Sequence, residues 1–225
     1  MKSVILVHGA FADATSWQKV IPLLAREGLG VTALQLPLKS LADDVATAKR
    51  LIELQSGDVV LVGHSYGGAV ITEAGAGNPK VKGLVYVAAF APDVGETLNK
   101  LIERFSASPL GAAVVPDSAG FLFIDREKFQ SVFANDIPEE EASLLAATQK
   151  PLAASIFGES IKAAAWKNIP ASYIVSTQDN CINPDLQRFM AKRIGAKTKE
   201  IKASHVSFIS NPSEVAKIIE SSFKN

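Results

Sequence analysis

The segment Gly63-His64-Ser65-Tyr66-Gly67-Gly68 sets a serine between glycines two residues to either side, the pattern G-x-S-x-G. The apolar run Val59–Val62 precedes it, and Ala69–Ala76 after it reads as a helix. A nucleophile at the tip of a sharp strand-to-helix turn occupies a strained backbone, and side chains flanking it would clash; glycines relieve that crowding. The helix that follows aims its positive end at the site. A phosphate-cradling loop is disfavoured, because neither G-x-x-x-x-G-K-[ST] nor G-x-G-x-x-G is present. The remaining competitor is a Gly-rich turn with an incidental serine.

A serine hydroxyl becomes a useful nucleophile only when a base takes its proton. Three histidines are available. His64 lies inside the turn, and its side chain is expected to point away from the serine oxygen. His8 ends the first apolar run, in Val7-His8-Gly9-Ala10-Phe11. His205, in Ala203-Ser204-His205-Val206-Ser207, follows the last β-rich run and is the expected base. The base needs a carboxylate to fix its tautomer. Asp179, after the run Ser172–Ser176, gives the order Ser…Asp…His that suits this turn. Asp93 competes from another strand end, and Asp185 reads as a carboxylate in the first turn of a helix. An oxyanion hole requires backbone N–H donors. Tyr66, directly after the nucleophile, is one candidate; Ala10 in the loop after the first strand is the other, with Phe11 second.

These groups must be held by a frame. Short apolar runs, Ser3–Val7, Gly30–Leu34, Asp58–Gly63, Val81–Val87, Ser172–Ser176 and Thr198–Lys202, read as strands buried on both faces of a parallel sheet. Between them, Leu41/Val45/Ala48/Ile52, Leu186/Phe189/Met190/Ile194 and Val215/Ile218/Ile219/Phe223 place single apolar stripes on helices. The alternation predicts an α/β fold. It breaks between residues 96 and 166, which hold six of the 11 phenylalanines, helical patterns over Asp136–Gln149 and Leu152–Trp166, and a strand-like Phe121–Ile124. We read this as a mostly helical cap insertion lining an apolar substrate pocket, with residues 1–95 and 167–225 forming the core.

Composition narrows the partners. With 23 basic and 23 acidic residues the net charge is zero, so no electrostatic footprint for nucleic acid or a polybasic membrane patch exists. The single cysteine, Cys181, excludes an internal disulfide framework. Neither a membrane span nor a signal peptide is expected. The expected setting is the cytoplasm, the partner a small-molecule ester, and the cofactor and metal complement none; a homodimer is an assembly open to the chain.

Over nearly its whole length the chain resembles the α/β-hydrolases. The resemblance rests on Leu6-Val7-His8-Gly9-Ala10-Phe11, Ser16-Trp17, the Gly63–Gly68 turn, Tyr86-Val87-Ala88-Ala89-Phe90-Ala91-Pro92, Asp179 and Ser204-His205. It is similar to the branch that holds plant methyl-ester esterases, hydroxynitrile lyases and small bacterial esterase-like proteins. The resemblance implies a triad of Ser65, Asp179 and His205, with oxyanion donors at Ala10 and Tyr66. The family's usual sheet has eight strands; this chain begins at what would be the third, so about six are expected. The lyase members carry a lysine after the histidine and a threonine near the oxyanion loop, where this chain has Val206 and His8-Gly9-Ala10. Dehalogenase and epoxide-hydrolase members use a carboxylate nucleophile, and Ser65 stands in its place. The expected activity is therefore that of a serine carboxylesterase working through an acyl-enzyme. The alternatives are a hydroxynitrile-lyase-like C–C lyase on the same triad and a non-catalytic binding module.

Overall fold

Six of the apolar runs assemble into one sheet. The computed structural model describes residues 2–223; positions 1, 224 and 225, at the outer ends of the two expected core segments, lie outside the described residues. The strands are β1 (Ser3–Val7), β2 (Gly30–Leu34), β3 (Val59–His64), β4 (Val81–Val87), then, past the insertion, β8 (Ala171–Ser176) and β9 (Lys197–Ile201). Their order is β2-β1-β3-β4-β8-β9 and every pairing is parallel. β1, β3 and β8 are buried along their whole length, which explains why they read as unbroken apolar runs. β9 closes one edge and exposes all but Ile201. The sheet has the six strands expected, in an α/β fold with flanking helices.

The helices α1 (Ile21–Arg26), α2 (Leu41–Glu53), α3 (Gly67–Ala74), α7 (Pro184–Arg193), α8 (Ser207–Ser210) and α9 (Pro212–Ser221) connect or follow these strands. The α2 start is set locally: Ser40 accepts a hydrogen bond from the Asp43 N–H, and Asp43 and Asp44 lie in the first turn. α2 packs on α3, and α1 packs on β2 and α9. The chain runs from β1 out to the edge strand β2 and returns to β3 on the other side of β1. Loops after β1 and β3 therefore diverge at a topological switch point, where open α/β sheets form a crevice.

Residues 96–166 form α4 (Leu98–Ile102), β5 (Val114–Pro116), β6 (Phe121–Ile124), α5 (Arg126–Phe133), α6 (Glu139–Thr148) and β7 (Leu152–Ala153), with short 3-10 turns between them. β5, β6 and β7 make a small antiparallel sheet. The expected helix over Leu152–Trp166 does not form. Leu152 and Ala153 pair with β6, the Ala153 N–H donates to Leu38 O, and the Ala154 N–H donates to Gly120 O. Pairing with β6 holds Ala153 in an extended conformation, which is incompatible with a helix through that position. The segment's entry and exit are laced together by Gly95 N–H to Ile161 O, Ile161 N–H to Glu96 O, Trp166 Nε1 to Pro92 O, and the Asp93–Lys167 ion pair.

Four non-glycine residues hold positive φ: Phe11 at 60°, Leu38 at 60°, Ser65 at 52° and Ala88 at 44°. Each lies just beyond the carboxyl end of one of β1 to β4. Such residues store on the order of 1–3 kcal/mol each and persist only where surrounding structure fixes them. Around Ser65 the fixing is by backbone contact: a Cβ on Gly67 would fall 2.5 Å from Val7 O, and one on Gly68 would fall 2.3 Å from Phe90 O. Gly68→Ala is therefore expected to destabilise the fold by about 3 kcal/mol, read as a lower urea midpoint with an unchanged slope.

Candidate active site

β3 ends at His64, and the chain reverses at Ser65 into α3. The Ser65 N–H donates to Val87 O, while Ser65 O accepts from the Gly68 and Phe90 N–H groups. The turn is thus tied to the end of β4 as well as to its own helix. Gly9 fits closely against it: a Cβ there would lie 2.7 Å from Ser65 Cβ.

Asp179 follows β8 and His205 follows β9, and the two loops are joined by Thr177 N–H to Ile201 O and Gln178 N–H to Ala203 O. His205 Nδ1 lies 2.7 Å from Asp179 Oδ2, with both side chains buried. A carboxylate only accepts, so Nδ1 carries the proton and Nε2 presents its lone pair. Asp179 Oδ2 also accepts from Gln187 Nε2, and Oδ1 accepts from the Cys181 and Ile182 N–H groups. Four donors hold this buried carboxylate, which satisfies the requirement that a buried charge be paired and bonded. Asp93 instead pairs with Lys167, and Asp185 pairs with Arg188 at the surface.

Ser65 and His205 open on one cleft of about 390 Å³, with Ala10, Tyr66 and a wall of Phe11, Phe90, Ile102, Leu110, Phe133, Phe157 and Ile182. Among the described residues no hydrogen bond joins Ser65 Oγ to His205; contacts between a nucleophile and its base tighten when substrate is bound. The N–H groups of Ala10 and Tyr66 bond to no other group among the described residues, and neither does that of Phe11. All three residues reach the cleft.

His8 fixes the direction of the Ala10 N–H. Its Nε2 accepts from the Leu36 N–H at 3.0 Å, so its Nδ1 carries the proton and donates to Gly9 O at 2.8 Å. Across a trans peptide the C=O and N–H point in opposite directions. Holding Gly9 O on His8 fixes the opposite direction for the Ala10 N–H. Burial holds the His8 ring down at a pKa of about 4, against the raising effect of Gly9 O and helped by the charge of Lys150.

His64 does point away from the serine oxygen. Its Nε2 donates to the carbonyl of His205 at 3.0 Å, and its ring lies 4.5 Å from the His205 ring between centroids. Its Nδ1 is buried without a partner. Burial first, then the neighbouring His205, pushes the His64 pKa well below the usual imidazole value.

Several contributors had weak sequence signals. Gln187 sits beside Leu186 and Met190 on a buried helix face, and its Oε1 accepts from the Ser176 N–H while its Nε2 reaches Asp179. A glutamine flanked by the apolar stripe of Leu186 and Met190 was the available clue. Asp136, between α5 and α6, accepts from the Ser204 N–H and from Ser210 Oγ, bracing the His205 loop; nothing in the local pattern marks it.

Asp179, Cys181 and His205 bring three potential metal ligands within 4.8 Å. The set does not suit a cation. Both oxygens of Asp179 are filled, and the Cys181 thiol, which burial and then Asp179 push well above its ordinary pKa, donates to Val132 O. A thiol must lose its proton to ligate.

The sequence model of the alpha/beta hydrolase family matches residues 4–218. Salicylic acid-binding protein 2 of Nicotiana tabacum is 29% identical, with 99% of this chain and 98% of that protein covered. Methylesterase 2 of Arabidopsis thaliana is 30% identical, with 83% of this chain and 81% of its own length covered. Among solved structures, a pyrethroid hydrolase from Sphingobium faniae JZ-2 superposes with a TM-score of 0.84 at 24% identity, covering 99% of this chain and 97% of that one.

His8 gives the site a pH signature. Its folded pKa lies below the unfolded value of 6.5, so the folded state resists protonation. The stability it supports is complete above pH 6.5 and is lost as pH falls toward about 4. The loss should reach about 3 kcal/mol. Urea unfolding across that window is expected to fall less steeply in His8→Gln, which has no titrating ring.

Proposed function

The chain belongs to the alpha/beta hydrolase family and is a serine ester hydrolase, and from that premise we propose that Ser65, His205 and Asp179 are its catalytic triad, with Ala10 and Tyr66 N–H groups as the oxyanion hole. The observation that carries the assignment is the buried 2.7 Å His205–Asp179 bond at the same cleft as Ser65.

His205 Nε2 takes the proton of Ser65 Oγ as that oxygen bonds to the ester carbon. The carbonyl oxygen gains the charge and is met by the Ala10 and Tyr66 N–H groups. His205 then passes the proton to the leaving alkoxy oxygen, the C–O bond breaks, and the acyl group stays on Ser65. Water repeats the sequence with the same base and frees the acid. Asp179 holds the Nδ1 proton throughout and stabilises the imidazolium.

The cleft wall is largely apolar, and among the described residues no lysine or arginine lines it. This supports a small, uncharged ester, since a substrate carboxylate would lose its hydration there without a partner. The name of one relative, a methylesterase, fits an ester substrate of this kind. Among the described residues no helix is long and apolar enough to cross a membrane. A cytoplasmic setting accords with the lone buried thiol of Cys181. A homodimer is the assembly to test by light scattering.

Labelling with a fluorophosphonate followed by peptide mapping is expected to place the adduct on Ser65, and His205→Ala is expected to lose it. Ser65→Ala should lower kcat on p-nitrophenyl butyrate by roughly 10⁶-fold. Near-wild-type turnover in that variant would sink the triad assignment. The neutral butyrate should also be cleaved at least about tenfold faster than the anionic hemisuccinate, reflecting the unpaired charge; equal rates would refute the apolar-substrate reading.

A further inference from the structure

The loop between β2 and α2 is held at the N–H and the C=O of both Leu36 and Leu38. The Leu36 N–H donates to His8 Nε2, and Leu36 O accepts from Lys150 Nζ of the insertion. The Leu38 N–H donates to Asp44 Oδ1 at 2.9 Å, and Leu38 O accepts from the Ala153 N–H at 2.9 Å. Leu38 itself is one of the strained positive-φ residues. The other oxygen of Asp44 accepts from the Tyr66 hydroxyl at 2.6 Å.

Asp44 is an unexpected residue here. It is 0% exposed, on the α2 face that carries Leu41, Val45 and Ala48. An apolar side chain would suit that stripe, and burying a carboxylate is costly unless its bonds are made. Its two oxygens serve two groups that lead to different sides of the same site. Through Leu38 and Leu36 it reaches His8, which sets the Gly9–Ala10 peptide. Through the hydroxyl it reaches Tyr66, whose backbone carries the second donor. Burial raises the Asp44 pKa, and the Tyr66 and Leu38 bonds and Lys150 oppose that rise.

We propose that Asp44 is a positioning residue for the oxyanion hole, fixing the Ala10 donor through the β2–α2 loop and His8 and the Tyr66 donor through its hydroxyl. The inference rests on the reading of Ala10 and Tyr66 as the donors. Asp44 touches neither substrate nor the reacting atoms. Its loss should therefore act on the transition state, where charge reaches the carbonyl oxygen, and leave ground-state binding in place.

The test compares Asp44→Ala, Tyr66→Phe and the conservative Asp44→Asn with the wild-type chain on p-nitrophenyl butyrate. Inhibition by a trifluoromethyl ketone, which adds to the serine, is set against that by its unfluorinated methyl ketone. Asp44→Ala and Tyr66→Phe are expected to lower kcat by about 10- to 100-fold, less than outright removal of a donor, with KM within about twofold. They should weaken the trifluoromethyl ketone in proportion and leave the methyl ketone unchanged. Asp44→Asn, which can still accept from Leu38 and bond Tyr66, should recover most of kcat. Tyr66→Phe removes one oxygen and carries the test if Asp44→Ala does not fold. Unchanged kcat in folded variants, or equal weakening of both ketones, would overturn the inference while a fluorophosphonate-labelled, active wild type left the esterase reading intact. A wild type that takes no label at Ser65 would overturn both.

Discussion

Backbone packs against backbone at the Ser65 turn, and the rest of the site is arranged around that contact. The start of α3 approaches the ends of β1 and β4 so closely that Cβ atoms at Gly67 and Gly68 would overlap Val7 O and Phe90 O. Only glycine permits the approach, and only the approach holds a non-glycine residue between them at positive φ. The same closeness brings the His8–Phe11 loop and the end of β4 against Ser65. A serine on a looser turn would have neither neighbour.

The three histidines show how burial and partner divide one side-chain type into three roles. His205 has a carboxylate on Nδ1 and a cleft on its other side. His8 has a carbonyl on one nitrogen and an N–H on the other, so both ring nitrogens are used and its tautomer is set. His64 donates to the His205 carbonyl and is otherwise enclosed by the rings of Trp17, Phe133, His205 and Phe208. Burial without an anion favours the neutral form of His8 and His64. Of the three, His205 alone lines the cleft with Ser65 among the described residues.

The insertion contributes more than a wall. Phe133 stacks edge-on against the His205 ring. Asp136 braces Ser204, Asn180 Nδ2 donates to Ser131 O, and Cys181 Sγ donates to Val132 O. The loops that carry Asp179 and His205 are therefore held from above by the corner after α5, while Lys150 and Ala153 hold the β2–α2 loop. With its entry and exit laced together, the insertion is joined to the core at several separate loops.

Much of this was legible in the chain because its signals are local. The central strands read directly, since burial on both faces of a parallel sheet leaves an unbroken apolar run. β1, β2 and β4 have the predicted limits, whereas the edge strands β2 and β9 are partly buried and largely exposed, respectively, not buried on both faces as expected. The Ser65 turn was legible because one of its clashes is local: a Cβ on Gly63 would fall 2.6 Å from Gly67 O. Asp179 and His205 were singled out by their places after strands, but which carboxylate meets the imidazole depended on β8 lying beside β9, a pairing of distant segments. The structure alone decided the fate of Leu152–Trp166, where bonds to β6 and Leu38 override helical spacing. It alone decided the roles of Asp44, Asp136 and Gln187. A polar residue's partner is fixed by where other elements pack, and no spacing within its own helix or loop contains that information.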